Sequence, residues 1–162
     1  MCKMETSLND GVDLPVLIHR GGVLFDIEGN TPQEIYKIIS DKIEKPEGVT
    51  SEQIYSALCA REQVLSTAVG NGIALPHARA SIIKSDEEQK ICVVYLKNPI
   101  DMQAPDEREV YVMFVLLTHN SQVHLKVLTE LAGLFRNLRF RKALEAHAGE
   151  AELLSLIREL DK

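Results

Sequence analysis

Two rhythms of apolar residues run along the chain, one of helical spacing and one of continuous short runs. Ile35, Ile38, Ile39 and Ile43 recur at three- and four-residue steps, which predicts a helix with one buried face. Its start is marked by Thr31-Pro32-Gln33-Glu34: Thr31 as N-cap, Pro32 in the first turn and Glu34 closing a capping box. Pro46 and Gly48 are expected to end it. A second helix opens on Thr50 and Gln53, which repeat the box spacing, and carries Ile54, Ala57, Leu58 and Arg61 near one stripe. Val123, Val127, Leu128, Leu131, Leu134 and Phe135 predict the inner face of a longer helix, capped by Asn120 or Ser121 and running to about Asn137. Two shorter helices are expected at about 139–147 and 150–160.

The continuous runs read as strands. Residues 110–118 are almost wholly apolar, as expected of a strand covered on both faces. A second strand is expected at 91–96 and a short one at 73–75. Residues 14–19 and 22–27 carry apolar residues around Gly21-Gly22, which predicts one short strand or two. Residues 81–90, with Asp86-Glu87-Glu88, read as a solvated loop, and 98–109 as another. Residues 1–13 are polar and mixed, a loose N-terminal segment ahead of one domain at 14–162. Interleaved strands and helices give an α/β fold class, a single domain with helices on both faces of the sheet.

Composition narrows the function. A length of 162 residues with 45% apolar and 26% charged residues suits one globular domain with a sizeable core. A net charge of −6 argues against nucleic acid or an anionic membrane as partner and favours a basic one. The longest apolar run falls far short of a membrane span, so no membrane insertion is expected. Cys2, Cys59 and Cys92 are odd in number and widely spaced, which suggests neither a disulfide framework nor a metal-binding pair but thiols in a reducing cytoplasm.

The stretch 61–79 holds the chemistry. Gly70-Asn71-Gly72 predicts a tight turn needing positive φ. Ile73 to Leu75 follow as a buried strand, and Pro76 is expected to end its pairing. His77 is then presented where the chain leaves the sheet. An imidazole there suits a nucleophile or proton carrier, since its ordinary pKa lies near the pH of the cell. On residue type alone, a structural or surface histidine is the commoner outcome. His124 lies near the start of the helix after the 110–118 strand, so strand ends at Leu75 and Thr118 can bring the two histidines into one crevice. His119 competes with it, being at the strand end itself. His19 and His147 read as surface residues. His119 and His124 are five apart, which does not place both on one helix face, so no metal site is expected. A hydrolase reading finds no GxSxG elbow.

Glu62, then Val69-Gly70, then the unbroken run Ile73-Ala74-Leu75-Pro76-His77-Ala78 closely resemble the active-site signature of enzyme IIA of the bacterial phosphotransferase system, in its fructose, mannitol and nitrogen-regulatory branch. The resemblance extends more weakly from Thr31 to Leu160. It implies a central mixed sheet flanked by helices on both faces. It implies also that His77 accepts phosphate from the phosphohistidine of HPr or a nitrogen-branch counterpart, with no cofactor. Arg61 matches an arginine beside that histidine, and a planar guanidinium offers phosphate oxygens a bidentate fork. His124 matches a second histidine that assists by hydrogen bonding. For such a carrier, the backbone N–H groups of Gly70, Asn71 and Gly72 would form a nest for phosphate, with the Ser66 and Thr67 hydroxyls nearby. Arg79, where the motif reads Ala78-Arg79, adds a positive charge expected to aid phosphate holding or shift partner choice. Gly70 to Ala74 read closer to the nitrogen-regulatory type. A regulatory phosphocarrier with target proteins is therefore expected first. A sugar-specific donor to a IIB component comes second, and an interaction module without chemistry third.

Overall fold

The computed structural model describes residues 13–78 and 82–161. Within them six α-helices and five strands form three layers. In chain order they are α1 (Leu14–Gly21), β1 (Val23–Ile27), α2 (Pro32–Lys42), α3 (Ser51–Val64), β2 (Ala68–Gly70), β3 (Ile73–Ala74), β4 (Lys90–Ile100), β5 (Val110–Leu117), α4 (Ser121–Phe135), α5 (Leu138–Glu145) and α6 (Glu150–Leu160). The sheet order is β1-β4-β5-β3-β2. Pairing is parallel for β1 with β4 and for β3 with β5, and antiparallel for β4 with β5 and for β2 with β3. The sheet is therefore mixed, with helices on both faces. N-terminal residues 1–12 of the expected loose segment lie outside the described residues.

Strand alternation sorts the core into two halves. Val112, Phe114 and Leu116 of β5 pack with Leu14, Leu17 and Ile18 of α1 and with Val123, Val127, Leu131 and Phe135 of α4. Met113, Val115 and Leu117 face the other way, onto Ile35 and Ile39 of α2 and Ile54 and Leu58 of α3. Successive side chains of a strand point to opposite faces, so an eight-residue apolar run needs both helical layers.

Several expectations are corrected. Residues 14–19 form a helix, not a strand: Asp13 Oδ1 accepts the Val16 N–H at 3.2 Å, Pro15 occupies the first turn, and Leu14, Leu17 and Ile18 are buried at helical spacing. The following segment is a strand, ending at Ile27. At α2, Thr31 caps Glu34 N–H, but Glu34 reaches back to the Asn30 N–H at 2.7 Å, one residue earlier than a capping box requires. The helix stops at Lys42, before Pro46, and Lys45 Nζ donates to the carbonyls of Ser40, Asp41 and Ile43 at its end. The box at Thr50 and Gln53 closes in both directions. β4 continues through Asn98 and Pro99 to Ile100, where pairing resumes against Val110 after a register shift. Proline is tolerated at that irregularity because no ladder donor is needed there. The acidic run at 86–88 winds into a 3-10 turn followed by buried Gln89 and Lys90.

Candidate functional site

Parallel β3 and β5 end side by side, and that shared end builds the site. Pro76 does not close the ladder: its carbonyl accepts the Leu116 N–H at 2.9 Å, and His77 pairs with Leu116 as a parallel bridge. Proline lacks only the donor, so a strand can continue through its acceptor. His77 is thereby fixed in register with the end of the most deeply buried pair of strands.

The ring is fixed as well. His77 Nδ1 lies 2.8 Å from the Leu75 carbonyl, an acceptor, so Nδ1 carries the proton and Nε2 keeps its lone pair. Arg61, in the last turn of α3, donates from Nε to that Nε2 at 3.3 Å and from Nη1 to the Leu65 carbonyl at 2.5 Å. Burial lowers the His77 pKa below its usual 6.5, and the Arg61 charge adds to this, against the pull of the Leu75 carbonyl. His77 is accordingly a neutral imidazole at the pH of the cell.

His124 comes from the first turn of α4, whose start is capped by Asn120 Oδ1 accepting the Val123 N–H at 2.9 Å. Its ring centroid lies 4.6 Å from that of His77, and its Nδ1 shares a 3.2 Å hydrogen bond with Thr118 Oγ1. Burial first, then the neighbouring His77 and Arg61, push its pKa down to about 4. Arg61, His77, Ala78, Thr118, His119, Asn120, Ser121 and His124 line one open cavity of about 480 Å³. The amino end of α4 opens into it, adding partial positive charge to that of Arg61.

The structure thus brings Arg61, His77 and His124 together. It does not bring the expected phosphate nest to them. Gly70, Asn71 and Gly72 do make a turn with φ of 103°, 56° and 81°. That turn sits at the opposite end of β3, where the Gly72 carbonyl accepts the Tyr111 N–H. Tyr111 and Leu116 are five residue steps apart on β5, roughly 16 Å along a strand. The Asn71 N–H is already given to Asp106 Oδ2 at 2.8 Å. Ser66 and Thr67 lie nearer, but the Ser66 hydroxyl donates to the Met102 carbonyl and the Thr67 hydroxyl to Glu62 Oε1. Arg79 lies outside the described residues.

Sequence reasoning named Thr118 as a strand end, Asn120 or Ser121 as a helix cap and Glu62 as part of a motif, without the contacts they make at the site. Thr118 is the partner of His124, and Asn120 and Ser121 line the cavity. Glu62, quoted only as part of a signature, accepts the Tyr36 hydroxyl at 2.6 Å, the Thr67 hydroxyl at 2.7 Å and the Thr67 N–H at 2.9 Å. Tyr36 is fully buried, and burial together with the Glu62 charge pushes its pKa far up, so it remains a donor. His119 is tied down rather than free to assist: its N–H goes to Gln89 Oε1 at 2.8 Å, and its Nδ1 lies 3.0 Å from the Ile83 carbonyl. His19 is exposed and pairs with Glu150, and His147 stacks on Tyr95 with centroids 4.5 Å apart.

Comparison with known proteins reaches the same region of fold space. Residues 17–160 match the family described as phosphoenolpyruvate-dependent sugar phosphotransferase system, EIIA 2. The chain is similar to a nitrogen regulatory protein of Pseudomonas aeruginosa, 31% identical over 147 residues that cover 88% of this chain and 92% of that protein. A nitrogen regulatory protein of Klebsiella oxytoca is 32% identical over 126 residues, 76% of each chain. The crystal structure of nitrogen regulatory protein IIA-Ntr from Neisseria meningitidis superposes with a TM-score of 0.73 at 26% identity, covering 84% of this chain and 92% of that one.

Proposed function

The chain belongs to the EIIA type-2 family of the phosphoenolpyruvate-dependent sugar phosphotransferase system, and from that premise we propose that His77 is a phosphoryl acceptor and carrier. The phosphoryl donor is the phosphohistidine of an HPr-like protein. The observation that carries the reading is the tautomer: with the Nδ1 proton donated to the Leu75 carbonyl, Nε2 keeps its lone pair, which accepts from Arg61 Nε at the cavity. As Nε2 attacks phosphorus in line, the N–P bond to the donor imidazole breaks and that ring leaves with the electron pair. The positive charge arising on the His77 ring is shared with the Nδ1 proton, which the Leu75 carbonyl accepts. Arg61, released from Nε2 as the bond forms, turns its N–H groups to the phosphoryl oxygens. The start of α4 faces the same oxygens. His124, neutral at the pH of the cell, adds no competing charge and packs the ring of His77 in place.

Nitrogen regulatory relatives covering most of the chain favour a regulatory carrier, whose contacts with target proteins change with phosphorylation. Arg79, next but one to His77, joins the oxygen-holding charges in this reading. The test is incubation with phosphoenolpyruvate, enzyme I and an HPr-like carrier, followed by intact mass. A gain of one phosphoryl group that is absent in His77→Ala is the expected result; no gain from a donor system that labels a control acceptor refutes the proposal. Adding a IIB protein then separates the roles, since a sugar-specific donor loses its phosphate to it and a regulatory carrier retains it.

A further inference from the structure

We infer that Glu62 is a positioning residue for the transfer, holding by one carboxylate the short segment from which both His77 and Arg61 are hung. The inference rests on the phosphocarrier reading only for its kinetic consequence; the geometry stands alone.

Three donors converge on Glu62. Tyr36 Oη and Thr67 Oγ1 donate to Oε1, and the Thr67 N–H donates to Oε2. Tyr36 belongs to α2 and is fully buried, so it anchors the carboxylate to a rigid layer. From Thr67 the hydrogen bonds run on to the site. The Thr67 carbonyl accepts the Leu75 N–H at 2.9 Å, and the Leu75 carbonyl accepts the His77 Nδ1 proton at 2.8 Å. A second branch starts two residues earlier, where the Leu65 carbonyl holds Arg61 Nη1. Arg61 Nε then meets His77 Nε2. The imidazole and the guanidinium thus take their relative position from residues 65–67, and Glu62 fixes that segment.

Only a carboxylate answers all three donors, because it offers acceptors and no protons. A glutamine keeps the size but turns an NH2 toward at least one donor. The segment then shifts, the Leu75 carbonyl follows, and the Nδ1 proton loses its fixed acceptor. The site would be assembled but misaligned, and a misplacement of this kind slows a transfer by roughly ten- to a hundred-fold.

Two measurements test this on the full chain. In 15N NMR of the unphosphorylated protein, wild type shows His77 almost wholly as the Nδ1–H tautomer, whereas Glu62→Gln shows a mixture of the two. In single-turnover transfer from a phosphorylated HPr-like carrier, Glu62→Gln lowers the maximal rate with the half-saturating carrier concentration unchanged, and Tyr36→Phe lowers it less. A folded Glu62→Gln with wild-type tautomer and wild-type rate overturns the inference. Should Glu62→Gln fail to fold, Tyr36→Phe decides, and an unaltered tautomer and rate there overturn it equally. The NMR arm needs no donor, so a protein that accepts no phosphate but shows the tautomer shift refutes the carrier function and leaves the positioning role intact.

Discussion

At the scale of single residues, the candidate site keeps two imidazoles uncharged beside a permanent cation. Burial is the first cause for both, and Arg61 reinforces it. An imidazole whose pKa falls on folding is protonated preferentially in the unfolded chain. His124 therefore stabilises the fold above its unfolded pKa near 6.5, and that contribution is lost as pH falls from 6.5 to about 4. The denaturant midpoint of wild type is expected to drop between pH 7 and pH 4.5, and that of His124→Asn to drop less. Equal slopes in the two proteins would show that His124 does not titrate as its burial demands. Arg61→Ala should raise the pKa of both histidines without restoring 6.5, since burial remains; NMR titration of the ring protons reads this directly. How much of this was legible differs from residue to residue. His77, Arg61 and His124 were singled out from a motif and from strand-end reasoning, and the fold brings them together. Glu62 stood in the same motif yet gave no hint of its partners, because Tyr36 lies 26 residues away on another helix and only tertiary packing brings it close.

At the scale of elements, sequence patterns succeeded where one periodicity ruled and failed where two were compatible. The 110–117 run is unambiguous, being too long and too uniformly apolar for a one-sided strand. Residues 14–19 are short enough that a buried helix and a strand share the same apolar count, and Asp13 as N-cap was the signal that separates them. The Gly70-Asn71-Gly72 turn was read as a turn, which it is, and was expected beside His77, from which the fold separates it. Its place follows from β3 running parallel to β5, which puts the turn and His77 at opposite ends. The consequence can be measured. At Gly72, φ is +81° and an added Cβ would lie 2.5 Å from the Tyr111 ring, so Gly72→Ala is expected to cost roughly 2–4 kcal/mol in denaturant unfolding. The fraction that remains folded should keep the His77 tautomer and the wild-type transfer rate. A folded variant with impaired transfer would mean that the turn reaches the site after all.

At the scale of the whole molecule, His77, the proposed acceptor, sits on a seam between strong and weak pairing. β4 and β5 pair over most of their length in the middle of the sheet, with side chains buried on both faces. β2 and β3 span three and two residues, and β2 forms the sheet edge. Stability is expected to follow this division, because short edge pairs open locally while long central pairs open only with the whole fold. Amide exchange in Val112 to Leu116 should then report the global unfolding free energy. Amides of Ala68 and Val69 should exchange by local opening that costs at least about 2 kcal/mol less. His77 is bridged to Leu116 on the strong side, and through Leu75 and Thr67 it is tied to the weak one. In the proposed transfer, His77 would thereby keep its register while the segment that holds Arg61 adjusts to a phosphoryl group entering between them. If phosphorylation strengthens that adjustment, protection at 65–69 rises in the phosphorylated protein while that of β5 is unchanged. Uniform protection across β2 and β5 before phosphorylation would remove the seam, and with it this division of labour.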